Sequence, residues 1–68
     1  MQAGWICVYR SPFEHLAELV RVMLGEHDID AVVLNKKDSS YLNFGQLEVF
    51  VPEQDQQTAE ALILSLAL

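Results

Sequence analysis

Nothing in this chain can staple it. Its 68 residues hold one cysteine, Cys7, which cannot close an internal disulfide, and His15 and His27 with no second thiol do not make a metal-site spacing. A chain this short buries only about 60% of its unfolded surface, and scaffolds without disulfides or metals commonly gain their remaining stability from a partner subunit. The length allows one domain, residues 1–68, around one modest core. A second copy or another protein is therefore the first partner to expect, and no motif calls for a cofactor.

The apolar pattern gives five elements. Trp5 to Tyr9 is β-branched and aromatic, and it ends at Arg10 before Ser11-Pro12, which reads as a strand running into a helix start. Ser11 is placed to cap that helix, with Pro12 at its first position and Glu14 against its dipole. Phe13, Leu16, Ala17, Val20, Met23 and Leu24 then recur at three- and four-residue steps, one stripe of an amphipathic helix. Leu19 and Val22 lie off that stripe, which implies either a wide buried face or contact with a second helix or subunit. Gly25 is a candidate helix cap, and His27 suits the negative end of the dipole.

Ala31 to Leu34 is a short apolar run, compatible with a central or doubly covered strand. Residues 36–45 are polar and turn-forming. Gln46 to Val51 alternates, with Leu47, Val49 and Val51 on one face and Gln46, Glu48 and Phe50 on the other. Pro52 and Glu53 open a second helix with apolar positions Ala59, Leu62, Ile63 and Leu66. Its tail, Leu62 to Leu68, is apolar on more than one side, so it either docks against a neighbour or continues in a longer chain.

Strand, helix, strand, strand, helix is the βαββα order of an α+β two-layer sandwich. A right-handed unit makes the first two strands parallel, and the third pairs antiparallel between them, giving sheet order 1-3-2 with both helices on one face. This is the ferredoxin-like pattern without its last strand, and it leaves an edge of the first strand unpaired. Constant alternation along that strand puts Trp5, Cys7 and Tyr9 on the helix-free face together with Phe50. An apolar outer face of this kind wants cover. Trp5, Tyr9, Phe50, Leu64, Leu66 and Leu68 are the interface residues this reading selects.

Ten acidic residues against four basic ones, a formal charge of -6, oppose the phosphate backbone of nucleic acid. Trp5, Tyr9 and Phe50 resemble a base-stacking platform only superficially, because that charge balance and the missing RNA-binding motif favour protein packing. No apolar stretch approaches the roughly 20 residues of a membrane helix. Met1 to Gly4 lacks the features of a secretory signal, and a lone thiol suits a reducing compartment, so a cytoplasmic location is expected.

From Trp5 onward the chain resembles the small bacterial family of putative prokaryotic signal transducing proteins, a domain of unknown function akin in fold to PII (GlnB-like) regulators. The likeness is carried by Trp5-Ile6-Cys7-Val8-Tyr9, Glu18-Leu19-Val20 with Leu24, Ile29-Asp30-Ala31, Asn35-Lys36-Lys37-Asp38-Ser39-Ser40-Tyr41, and Gly45 through Val51-Pro52. Such sequences usually leave the first helix through a Gly-Ile pair, where this chain has Asp28-Ile29. The resemblance implies a ferredoxin-like domain with a signalling role by analogy of fold, and no established activity.

Two site readings follow, each beside a plainer one. Lys36, Lys37, Asp38, Ser39 and Ser40 lie where PII-like proteins carry a partner-contacting loop, and two cations with hydroxyls suit a small anionic ligand. A solvated turn explains the same residues, since no paired glycines cradle a phosphate. Tyr41 as a modified tyrosine competes with Tyr41 packing on its own loop. His15 and His27 lack any nucleophile to serve, so the chain is read as no enzyme. Glu26, Asp28 and Asp30 lack calcium-loop spacing, and Cys7 between Ile6 and Val8 reads as an inert apolar residue.

Overall fold

The structure is a computed structural model that describes residues 4–35 and 46–66. Along the chain come β1 (Trp5–Ser11), α1 (Glu14–Glu26), β2 (Val32–Asn35), β3 (Leu47–Pro52), a 3-10 turn (Glu53–Asp55) and α2 (Gln56–Leu66). β3 lies between the other two strands and is antiparallel to both, so the sheet runs β1-β3-β2 as the pattern predicts.

Two periodicities meet in one core. Leu47, Val49 and Val51 alternate along β3 and are buried, and the 3.6-residue stripe of α1 lays Ala17, Val20 and Leu24 against them. Ile29 and Ala59 complete the buried set, with Met23, Leu62, Ile63 and Leu66 packed at its margin. Both helices are thus spent on the same sheet face. Leu66, which the sequence also marks as an interface residue, is half-buried against this core, so its side chain is already engaged.

The alternation of β1 does not run through. Cys7 pairs with Phe50, but the next pair is Tyr9 with Val49, so Val8 is an extra residue, a β-bulge. One extra residue exchanges the two faces of everything beyond it. Tyr9 therefore packs on the helix-side core and not beside Trp5 and Cys7, which corrects its assignment to the outer interface. The chemistry shows why: without the bulge, Arg10 would share a face with Ile6 and point at the helices. With it, Arg10 stands on the outer face opposite Glu48, and Ser11 is buried opposite Leu47.

The first helix starts later than its capping residue suggests. Ser11 still belongs to β1, and its Oγ accepts the Phe13 N–H at 3.0 Å, a local turn that carries the chain off the sheet. Phe13 is the N-cap, and its carbonyl accepts the N–H groups of Leu16 and Ala17.

The helix end also falls beyond Gly25. The N–H of Ile29 reaches back to the Leu24 carbonyl at 3.0 Å and that of Asp28 to Gly25 at 3.1 Å, the bonding of a Schellman cap with its left-handed residue at Asp28, φ 62. Ile29 follows as the apolar residue that buries beside Leu24. Glycine takes this conformation without the Cβ penalty. Asp28→Gly is accordingly expected to raise stability by about 0.5–1 kcal/mol and Tm by several degrees, while Asp28→Val lowers both. Thermal denaturation of the two variants checks it, and a less stable glycine variant would refute the cap assignment.

Candidate functional site

Opposite the helices, the sheet presents three cross-strand rows. Trp5 stands beside Pro52, then Cys7, Phe50 and Val32 form a row, then Arg10, Glu48 and Leu34. The first two rows are apolar. The third ends the face with an ion pair, Arg10 Nε donating to Glu48 Oε2 at 3.0 Å. With Arg10 more than half exposed, that pair contributes at most about 1 kcal/mol.

Phe50 is only 7% exposed, yet it lies outside the helix-side core. It sits in the central strand, flanked in register by Cys7 and Val32, so its predicted place on the outer face holds and its role is to fill the middle of that face. The accessible apolar surface lies to its sides. Val32 is 43% and Leu34 42% exposed, and Trp5 is half-buried.

Sequence reasoning missed Val32 and Leu34. It read their segment as compatible with a central or doubly covered strand, whereas β2 is an outer strand of the sheet whose Val33 packs against the core. The 1-3-2 order itself held the signal, because it places that strand at the outside of the sheet, with one strand neighbour among the described residues.

A second set of apolar side chains faces away from the core. Leu19 and Val22 on α1 are exposed, which excludes the wide buried face, and Leu64 on α2 is exposed as well. The same helix carries an exposed ion pair, Arg21 with Glu18, whose hydrogen bond holds the Glu18 carboxyl below its usual range. Leu68 lies outside the described residues, as do Lys36, Lys37, Asp38, Ser39, Ser40 and Tyr41. The segment that contains the last six joins Asn35 of β2 to Gln46 before β3.

Among the described residues the two histidines and the acidic residues after α1 form no shared cluster. His15 is exposed with its ring near that of Phe13, centroids 6.0 Å apart. His27 is exposed at the end of α1, with Nδ1 3.0 Å from the Met23 carbonyl oxygen, as expected of a residue at the negative end of the dipole. Glu26, Asp28 and Asp30 are exposed, and among the described residues no three His, Cys, Asp or Glu side chains group as a metal site. Cys7 is half-buried, its Sγ 3.4 Å from the Tyr9 carbonyl across the bulge. No described helix is long and apolar enough to cross a membrane.

Comparison with known proteins gives a family match. A family model described as "Putative prokaryotic signal transducing protein" covers residues 5–66. No curated protein and no solved structure matches the chain.

Proposed function

We propose that this chain, which belongs to the family of putative prokaryotic signal transducing proteins, is a non-catalytic docking domain that engages a protein through its helix-free sheet face. The observation that carries the reading is the composition of that face. Trp5, Cys7, Phe50, Val32 and Leu34 make it apolar across all three strands, and both helices are committed to the other side. Exposed apolar area bounded by a polar rim is the usual mark of a binding surface. The ferredoxin-like, GlnB-like description of the fold is part of the same proposal, supported by the βαββα order and by the family, as is a cytoplasmic location, supported by the lone thiol. An anion sensor at Lys36, Lys37, Asp38, Ser39 and Ser40 stands second, resting on sequence alone.

Trp5 is the side chain to test, since aromatic anchors carry much of the energy of protein interfaces and Trp5 is not a member of the helix-side core. Immobilised wild-type chain should retain from a bacterial extract a protein that Trp5→Ala binds at least about tenfold more weakly, with both baits equally folded by circular dichroism. If every retained protein binds both baits alike, the face is not a docking surface.

A further inference from the structure

The outward side of α1 has a pattern of its own. His15, Leu19, Val22 and Glu26 are exposed, and they follow one another at steps of four, three and four residues, the spacing that lines side chains up in one row along a helix. Ala17, Val20 and Leu24 take up the other side, in the core. The core therefore leaves Leu19 and Val22 without a role: they are 46% and 44% exposed and stand next to each other in the middle of a row whose ends are polar. Alternating steps of four and three are what one helix presents to another in a paired seam.

We propose that the helix it pairs with is α1 of a second copy, running antiparallel about a two-fold axis midway between Leu19 and Val22. The row is self-complementary in that arrangement. His15 precedes Leu19 by as many residues as Glu26 follows Val22. An antiparallel pair thus sets Leu19 across from Val22 of the second copy and His15 across from its Glu26, each contact made twice. An imidazole N–H donates to a carboxylate whether or not the ring carries its second proton, so both ends of the seam close with a polar pair. A parallel pair would oppose Glu26 to Glu26, and a shift of one residue turns the row about 100° away from the seam. Beside the row, Glu18 is already paired with Arg21 of its own helix, which moderates the repulsion between two chains of formal charge -6.

The pairing uses the helix layer and leaves the helix-free sheet face untouched, so it is independent of the docking reading. It also multiplies what that reading can do. α1 stands between its own sheet and the second copy, and the two sheet faces point outward on opposite sides, where a partner with two sites is held by both. A helix of 13 residues is about 20 Å long, and one such row buries well under the roughly 800 Å² per partner of a standard interface. The dimer accordingly exchanges in the micromolar-to-millimolar range.

Sedimentation equilibrium of the full chain over that range tests it, with Leu19→Glu, with Val22→Lys, and with the two variants mixed in equal amounts. Both positions are exposed and both replacements suit a helix, so the monomers stay folded, which circular dichroism verifies. Wild type should dimerise reversibly. Each variant alone should self-associate at least about tenfold more weakly, because a charge meets an apolar side chain at both central contacts. The mixture should return to within about threefold of wild type, since the introduced glutamate then meets the introduced lysine at one contact while Val22 meets Leu19 at the other. A parallel pair gives no such recovery, because it opposes each position to itself. A monomer throughout, variants that associate like wild type, or a mixture as weak as either variant would each overturn the proposal. Trp5-dependent capture of a protein is read separately, so a failure there removes the docking reading alone, and a failure here removes the dimer alone.

Discussion

Leu24→Ala is expected to lower the unfolding free energy by about 2–5 kcal/mol. Leu24 is fully buried and among the largest fully buried side chains, at the meeting of α1 with the sheet. Truncation removes the transfer energy of the lost methyl groups and leaves a cavity that rigid neighbours only partly collapse. The backbone bonds that end the helix, from His27 and Ile29 to the Leu24 carbonyl, survive the substitution, so the loss reports packing alone. A domain of this length holds about 3–10 kcal/mol in all, so the variant should be unfolded or nearly so at room temperature. Urea titration followed by circular dichroism measures it, with Leu24→Met as a volume-conserving control that costs less than about 1.5 kcal/mol. A loss under about 1 kcal/mol would show that Leu24 is not a centre of the core.

Val49→Asp should unfold the chain at neutral pH, while Val32→Asp should leave the monomer within about 1 kcal/mol of wild type. Val49 pairs with Tyr9 and Val33 in the middle of the sheet, is fully buried, and faces Ala17, Val20 and Leu24. An aspartate there finds no cation among the core residues, and leaving a carboxylate unpaired in an apolar site costs several kcal/mol. Val32 lies in the neighbouring strand on the opposite face, 43% exposed, where water solvates the same carboxylate. Because both substitutions introduce the same group into the same sheet, the contrast isolates which way each side chain points. Circular dichroism of the pair decides it, and equal effects would show the two faces to be wrongly assigned.

The architecture was legible because burial imposes a period. Ala17, Val20 and Leu24 recur at helical spacing, Leu47, Val49 and Val51 at strand spacing, and each set is buried as its period requires. Phe50 was correctly turned away from the helices by the same alternation. What was not legible breaks the period or overrides a preference. Tyr9 was misplaced because alternation carries no mark of an inserted residue, although Arg10, in phase with Ile6 and Val8, was a charge on the wrong face and so a sign that the phase changes. The end of α1 was drawn to Gly25 by glycine's preference for caps, and tertiary packing of Ile29 beside Leu24 set the left-handed turn at Asp28 instead. The apolar outer face was anticipated, but its accessible part, Val32 and Leu34, depends on which strand lies at the edge, and the local run of four residues reads the same whether covered or open.

The central position of β3 governs the order in which the molecule can form. Each strand pairing in the sheet includes β3, and the β1–β3 ladder ties Trp5, near the start of the described chain, to Pro52, just before the last helical segment. Contacts between residues so distant in sequence require loop closure before any pairing energy is returned. α1 can form and dissolve early on its own, but the sheet cannot begin until β3 exists, so a chain emerging from the ribosome carries β1 and β2 unpaired until most of its length has been made. The residues that later form the outer face are exposed throughout that interval.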